Sequence, residues 1–581
     1  MTIDTQPLLY GEEVSSNYSS VYKSTANHVR EEELGTTGSI IDDGLHEDHE
    51  DDEDVENVSL SKIPNLILIQ VSLFANVFLA GFDGTVTAST YQLIGNEYNH
   101  VSVASWITTA YLITNTSFQP LYGSFSDVLG RRKCLFFANT TFALGCLACG
   151  LAPTIYVLVA ARALCGIGGG GLITLSTVVN SDLIPASKRG IFQAFQNLLL
   201  GFGSIMGAAS GGWISTTIGW RWCFFLQVPI SILGTAVGYI YVKNQKEYEQ
   251  KRAVNRSQSL YSIISEIDIV GAILLVVGLT TQLLYITSVS DITAKENLWF
   301  KPSYLLLLAT SVAVLVLFVY NEGHTSARPI IPRKLVQGTY SHLILLAAFF
   351  IGFASFAYLF TLPLFFQIVV GDSPSIAGLK LAIPSFCTPV GGLITGFGMS
   401  KWDCLPTLLK GGIIMMGLGN TLFTFLTDST PNWITAVFLL PSNIGQGMAF
   451  PASLFSFIFA FPKSDQATAT SALYLFRAIG SVWGVAGSSS IIQFFVSKRL
   501  RSSLKHKLTK EQINKILTKL SMNTKYIDKL KGEVREAVVD SYAYGAERTH
   551  IISASFCVIA LILAFTSAKY VPKSFKKFHQ K

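Results

Sequence analysis

One aspartate lies inside the first apolar stretch of the chain. Asp83 falls within residues 63–88, where most side chains are apolar. An ionisable side chain inside a membrane segment is costly and usually has a function. Such a carboxylate can bind a cation, exchange a proton or alternate between the two. The alternative is a structural acid that neighbouring backbone groups near the helix end satisfy.

Asp83 shares one side of a helix with other polar residues. The members of this first polar stripe are Ser72, Asn76, Asp83, Thr87 and Tyr91. Their spacings of four and seven residues put them on a common face, which we expect to border a water-filled cavity. A second stripe, in the next apolar stretch, consists of Tyr111, Asn115, Gln119 and Tyr122. These side chains would line the cavity together with Gln193 and Asn197, or serve as hydrogen-bonding contacts between helices.

A second buried charge and a set of glycines follow. Arg162 lies in an apolar stretch and therefore needs a partner, unless it is a structural arginine that reaches the interface. In the next stretch, small residues recur every four positions and predict a flat face for close helix packing. The glycines of this packing motif are Gly203, Gly207, Gly211 and Gly212.

A short charged segment, here called the hinge, separates the second and third apolar stretches. Its residues are Gly123, Asp127, Gly130, Arg131 and Arg132, with Lys133 next in the chain. We expect a helix to end at Gly123 and the chain to reverse at Gly130. Asp127 and Arg131 are about one turn apart and can form a charge-assisted pair that breaks as helices rock. The cations cannot enter hydrocarbon cheaply, so they fix the orientation of both neighbouring spans.

The composition indicates an integral membrane protein with many spans. Half of the residues are apolar and 14% are charged, against about 25% charged in soluble domains. Fourteen stretches are long enough to cross a bilayer. They cover residues 63–88, 102–122, 133–152, 154–181, 191–213, 221–242, 266–288, 302–320, 341–370, 375–399, 409–427, 432–461, 467–496 and 549–570. Cations cluster in alternate short loops, so the positive-inside rule places both termini in the cytosol.

Two polar segments stand outside these spans. Residues 1–62 are acidic and are expected to form a disordered cytosolic tail. Within them Asp4, Leu8 and Leu9 match the acidic dileucine pattern that cytosolic sorting adaptors read, although so short a pattern also occurs by chance. Residues 497–548 form a basic loop on the lumenal side, where Ile513, Ile516, Leu517 and Leu520 recur at helical spacing. A surface helix there would cap the mouth or dock on the membrane face.

Several function classes find no support in the sequence. Most of the eight cysteines lie in apolar runs without metal-ligand spacing, so we expect neither a metal nor a cofactor. No phosphate-binding loop or nucleophile triad is present, which argues against an enzyme or an ATP-driven pump. The net charge of +6 is spread over loops, so nucleic acid is not an expected partner.

Three motifs carry a resemblance to the major facilitator superfamily. The hinge resembles its signature loop G-x-x-x-D-x-x-G-R-R/K, with departures at Ser126 and Val128. Arg162 with Gly166 and Gly168 resembles the fourth-helix pattern R-x-x-x-G-x-G, in which the arginine is associated with proton transfer. Gly203 to Gly212 resembles the fifth-helix antiporter pattern G-x-x-x-G-P-x-x-G-G, with Ala208 in place of the proline.

The resemblance implies an all-α membrane fold with fourteen transmembrane helices. Two six-helix bundles would comprise residues 63–242 and 341–570, with an inserted helix pair at 266–320. Cytosolic linkers would comprise 243–265 and 321–340, and a basic cytosolic tail 571–581.

The similarity extends over about residues 63–570. Within it, four segments most resemble fungal vacuolar basic amino acid permeases of the fourteen-span drug:proton antiporter branch: Phe82 to Thr87, Ser105 with Trp106, Phe118 to Gly123 and Ser181 to Pro185. This resemblance implies a multi-pass protein of the vacuolar membrane that exchanges cytosolic Lys, Arg and His for protons. A plasma-membrane multidrug/proton antiporter is one alternative. A non-transporting membrane sensor is another, although intact transport motifs argue against it.

Overall fold

Polar and apolar stretches alternate along the chain, and the apolar ones fold as long helices. The computed structural model describes residues 64–98, 101–243, 266–289, 301–372, 376–377, 380, 386–402, 404–462, 465–505, 508–522 and 524–571. The sorting residues Asp4, Leu8 and Leu9 lie outside these ranges, and so does the side chain of Tyr91.

Seventeen α-helices of the described residues are used below. They are α1 Leu66–Glu97, α2 Val101–Leu129, α3 Arg131–Leu151, α4 Ile155–Leu183, α5 Ala186–Ile214, α6 Trp222–Phe225, α7 Gln227–Tyr241, α8 Ile269–Val289, α9 Pro302–Glu322, α10 Arg333–Val336, α11 Thr339–Leu364, α12 Cys387–Trp402, α13 Leu405–Phe423, α14 Asn432–Ile458, α15 Gln466–Ser503, α16 Lys510–Met522 and α17 Gly532–Ser567. Short π-helical turns, Ser215–Gly219 and Phe365–Val370, extend α5 and α11. The described elements are helical apart from an isolated bridge between Ile267 and Arg328. The predicted all-α class is therefore confirmed.

Some helices are longer than the apolar stretches from which they were predicted. The first was expected to end near residue 88, yet α1 continues to Glu97. The last was expected to begin near residue 549, yet α17 begins at Gly532. A helix satisfies its own backbone hydrogen bonds in water as well as in lipid, so hydropathy marks the membrane-embedded part and not the helix ends.

Nine of the described helical segments are long and apolar enough to cross a membrane. Other long helices occupy the places of further predicted spans, but their Ser, Thr, Asn and Gly content lowers their hydropathy, as in α2 and α5. The count of fourteen therefore stays a prediction.

Contacts sort most of the helices into two groups. The first group, α1 to α7, packs together, and the second group consists of α11 to α15 with α17. The groups meet where α2 and α4 contact α15 and where α5 contacts α12. The bounds of the predicted bundles, linkers and tails stay predictions.

Helices α8 and α9 pack on each other beside both groups. The hydroxyls of Ser117 in α2 and Thr280 in α8 are 3.3 Å apart. On the other side, Tyr285 and Ile286 of α8 form a buried apolar cluster with Ala486 of α15. Only 11% of the most apolar part of helix α9 is buried within the protein, so most of the helix surface is left to contact lipid.

The basic loop contains the predicted surface helix, α16. Its Ile513 is buried in an apolar cluster with Leu500 and Leu504 of the α15 end and with Ile527 and Val538. The segment therefore packs in a small apolar cluster at the ends of α15 and α17, which also includes Ile368 of the turn after α11.

Candidate functional site

Asp83 and Arg162 form an ion pair in the interior of the first helix group. The Nη1 atom of Arg162 donates to both carboxylate oxygens of Asp83, each at 2.8 Å. Both side chains are 0% exposed. Two charges removed from water in this way stabilise each other only as a pair, because either one alone would be a buried, uncompensated charge.

The pair has neutral neighbours on two other helices, α2 and α7. Gln227 at the start of α7 donates to Asp83 Oδ1 at 3.3 Å. Arg162 Nε donates to the Ile107 carbonyl at 3.2 Å, and its guanidinium lies 4.3 Å from the ring centre of Tyr111. Its Nη2 atom is buried and makes no hydrogen bond within the described residues. The two N–H bonds of this atom thus stay available for a group that enters the site.

The first polar stripe points into the helix group and not towards open space. Ser72, Asn76, Asp83 and Thr87 are all buried. Ser72 donates to the Gly234 carbonyl of α7 at 2.8 Å. The expectation that this stripe borders a water-filled cavity is therefore not met in this structure. The reason lies in α7, where Gly234 and Gly238 leave room for the side chains of Asn76 and Ser72.

The second polar stripe packs against the glycines of α4. Cβ atoms added at Gly166 and Gly170 would collide with the backbone of Tyr111 and Asn115. Tyr122 donates from its hydroxyl to the Ile167 carbonyl at 2.7 Å. Gln119 is buried, whereas Asn115 is half-buried. The stripe therefore makes contacts between helices, and Asn115 has the more exposed amide of the two.

The glycines of α5 form a backbone contact with α1. Cβ atoms at Gly203 and Gly207 would collide with the carbonyl oxygens of Phe78 and Phe82. This contact positions the turn of α1 that carries Asp83. Gly211 and Gly212 lie in the last turn of α5, and the Gly211 carbonyl accepts a hydrogen bond from Cys223 Sγ at 3.7 Å.

The hinge is helical for longer than the sequence suggests. We expected a helix to end at Gly123, but α2 continues through Asp127 to Leu129. The chain reverses only at Gly130, whose φ of 90° favours glycine. Because the turn needs just one residue, Asp127 keeps a helical position one turn before Arg131.

Arg131 joins the hinge to the end of α4. It is 2.5 Å from Asp127 and donates from Nε to Asp182 at 2.9 Å. It also donates to the Ser126 hydroxyl at 2.7 Å, so Ser126 takes part in the network. Arg132 lies apart from it, over the ring of Tyr239 at 4.1 Å.

Asp127 has a second cationic partner from a distant part of the chain. Arg328, which follows α9, donates to Asp127 Oδ2 at 3.1 Å. Burial raises the pKa of Asp127, whereas Arg131 and Arg328 act in the opposite direction. The carboxylate therefore depends on both arginines to stay ionised in its buried position.

The two helix groups touch closely at this end, here called the hinge end. A Cβ at Gly123 would collide with the Ser471 side chain of α15, and one at Gly190 with Gly396 of α12. Arg189 donates to the Gln466 side chain at 2.9 Å. The two helix groups are in close contact at both glycines, so the hinge end is closed.

Sequence reasoning missed three partners in these networks. Asp182, Gln227 and Arg328 each contact a predicted residue, but none stands out by type in its own stretch. Asp182 and Arg328 lie outside the apolar spans, where charged residues are common. Their roles follow from proximity in the fold.

We expect Asp127→Asn to slow transport about tenfold, because a charge-assisted bond is worth about 1.5–3 kcal/mol and 1.4 kcal/mol is tenfold. Arg328→Gln should have a smaller effect, because its side chain is 36% exposed and partly exposed pairs contribute less. Initial uptake rates at equal protein level measure both. Equal rates for Asp127→Asn and the unaltered protein would show that the hinge serves orientation only.

These elements together suit alternating access. The site combines a buried ion pair of Asp83 and Arg162 with neutral polar groups and a hinge end at which the two helix groups are in close contact. In the described residues no group of three or more His, Cys, Asp or Glu side chains is arranged to hold a metal ion.

Comparison with known proteins agrees with this arrangement. The model of the Major Facilitator Superfamily matches residues 73–485. The "Vacuolar basic amino acid transporter 2" of Saccharomyces cerevisiae is 58% identical over 80% of this chain and 97% of its own length. The "Multidrug resistance protein fnx1" of Schizosaccharomyces pombe is 35% identical over 81% and 87%.

A solved structure shares the fold. The proton:xylose symporter XylE matches with a TM-score of 0.51 at 17% identity, over 81% of this chain and 96% of the symporter. The family resemblance predicted from the three motifs is confirmed. The chain belongs to the major facilitator superfamily.

Proposed function

We propose that this protein moves basic amino acids from the cytosol into the vacuole, in exchange for protons. The observation that carries the proposal is the 58% identity to a yeast protein named for vacuolar transport of basic amino acids, over 97% of that protein's length. The expected location is the vacuolar membrane, with the lipid bilayer, the amino acid and protons as partners.

In this proposal the closed hinge end faces the cytosol. Opening it requires that the Gly123 and Gly190 contacts separate and that Arg189 leaves Gln466. In the proposed cycle, the state with a closed hinge end is the one that gives access from the lumen. Release of a substrate into an acidic lumen would occur from this state.

Asp83 and Arg162 are the groups proposed to couple protons to this cycle. A proton from the lumen would neutralise Asp83 and leave Arg162 without its counter-ion. An uncompensated buried arginine favours a rearrangement of the helices around it. Asn76, Thr87, Tyr111, Asn115 and Gln119 would assist as neutral groups on the two helices concerned.

The test is uptake of labelled lysine, arginine and histidine into vacuolar vesicles that are acidified by ATP. Vesicles with the protein should accumulate these amino acids above vesicles without it, and a protonophore should remove the difference. Equal uptake with and without the protein would refute the proposal.

A second candidate is export of drugs, because a relative that is 35% identical is named for multidrug resistance. The same vesicles separate the two functions if a lipophilic cationic drug replaces the amino acids. Accumulation of the drug without accumulation of lysine would favour the second candidate.

We expect the double substitution Leu8→Ala and Leu9→Ala to move the protein from the vacuolar membrane to the cell surface or endosomes. The sorting adaptor would lose its apolar anchor, while the acidic residue Asp4 remains. Fluorescence microscopy of tagged protein measures this, with Leu34→Ala in the same tail as the control. Vacuolar localisation of the double variant would remove the sorting role of the motif.

A further inference from the structure

Arg477 is a cation at the junction of the two helix groups. Its guanidinium lies 4.5 Å from the ring centre of Tyr474 in α15 and 4.5 Å from that of Phe450 in α14. The side chain is partly exposed. Among the residues that the structure describes, no aspartate or glutamate forms an ion pair with it.

The buried arginines of the described residues are satisfied differently. Arg162 pairs with Asp83, and Arg131 pairs with Asp127 and Asp182. Arg189 donates to the Gln466 side chain and to a backbone carbonyl. The aromatic rings beside Arg477 attract its charge, but they supply no anion.

Arg477 lies well inside the predicted membrane span of residues 467–496. From residue 466 to residue 477 the helix rises about 16 Å, at 1.5 Å per residue. That is about half of a hydrocarbon core of about 30 Å. An arginine at mid-depth faces the bundle interior or a water-filled cavity and marks a substrate pathway by default.

The surroundings of Arg477 belong to both helix groups. The hydroxyl of Tyr474 is 3.0 Å from that of Thr177 in α4, and Thr177 is 3.3 Å from the side-chain oxygen of Gln196 in α5. Helix α14 also contacts α5, and α15 contacts α2 and α4. Arg477 therefore borders the junction that must open and close during transport.

We propose that Arg477 binds the carboxylate of the amino acid substrate. This inference rests on the proposed function and names the group that recognises the part shared by all amino acids. A guanidinium is planar and presents parallel N–H donors, which match a carboxylate in a bidentate pair. The rings of Phe450 and Tyr474 contact the guanidinium and so restrict its movement before the substrate enters.

The experiment compares lysine with lysinamide, in which the carboxylate is replaced by a neutral amide. Binding to the purified protein is measured by the shift of the thermal unfolding midpoint with ligand concentration. The unaltered protein should bind lysine at least about tenfold more tightly than lysinamide, because the pair with Arg477 is charge-assisted. Arg477→Gln should bind both ligands with equal, weak affinity.

Two further variants keep the test decisive. Arg477→Lys retains the charge without the planar fork and should keep part of the preference for lysine. Arg499→Gln removes a partly exposed arginine that pairs with Asp540, and should keep the full preference. Gel filtration of each variant checks that it is folded.

The outcomes separate the two proposals. If Arg477→Gln discriminates lysine from lysinamide as the unaltered protein does, Arg477 is not the carboxylate anchor. If Arg477→Lys loses the preference and Arg499→Gln loses it equally, the effect is not specific to the site, and the inference also fails. If the unaltered protein neither binds nor transports lysine, the proposed function itself fails.

Discussion

Asp83→Asn is expected to abolish pH-gradient-driven uptake of basic amino acids and also to destabilise the protein. The substitution keeps the size of the side chain but leaves Arg162 as a fully buried charge without a counter-ion. Breaking a buried pair from one side costs about 3–5 kcal/mol. Uptake into vesicles at matched protein level measures the first effect, and the thermal unfolding midpoint of purified protein measures the second.

A double variant separates the two effects. In Asp83→Asn with Arg162→Gln neither charge is present, so the unfolding midpoint should recover most of its loss. Uptake should stay absent, because no group remains that can take up the proton. If the double variant transports lysine with an unchanged dependence on the pH gradient, Asp83 and Arg162 are a structural pair only.

Gly123→Val is expected to reduce transport by about tenfold or more, because overpacking costs about 1–3 kcal/mol and 1.4 kcal/mol is tenfold. Any side chain at this position collides with Ser471 and with the Ala467 carbonyl across the junction of the helix groups. The state with a closed hinge end should therefore lose population, while the state with an open hinge end is unaffected. Initial uptake rates at matched protein level measure the loss.

The matched control is Gly201→Val. Gly201 lies in a helix of the same group, but a Cβ there meets nothing within 4 Å. A cysteine introduced at Ala467 reports closure, because a membrane-impermeant maleimide should label it faster in Gly123→Val than in the control. Equal labelling and equal uptake in the two variants would show that the contact at Gly123 does not control access.

The charged residues of the site could be predicted from the sequence, but their partners could not. Asp83 and Arg162 stand out because each is ionisable in an apolar stretch. Their pairing joins residues 79 positions apart and follows only from the packing of α1 on α4. The pair of Asp127 and Arg131 lies within one helical turn, so spacing alone was enough to predict it.

The surroundings of the polar stripes could not be predicted from the periodicity of the sequence. Spacing correctly puts Ser72 and Asn76 on one face of α1, but it does not say which neighbour that face meets. The glycines of α7 admit these side chains into the interior of the helix group. In the same way, the length of α2 depends on one glycine conformation at residue 130, and hydropathy carries no information about it.

The position of helices α8 and α9 links transport to the membrane itself. Helix α8 touches both groups, and Arg328 beyond α9 holds Asp127. Because α9 exposes almost its whole length to lipid, any change in bilayer thickness or lateral pressure acts on it directly. Lipid composition should therefore shift the populations of the two access states. The same protein should then transport its substrate at different rates in vacuolar membranes of different lipid composition.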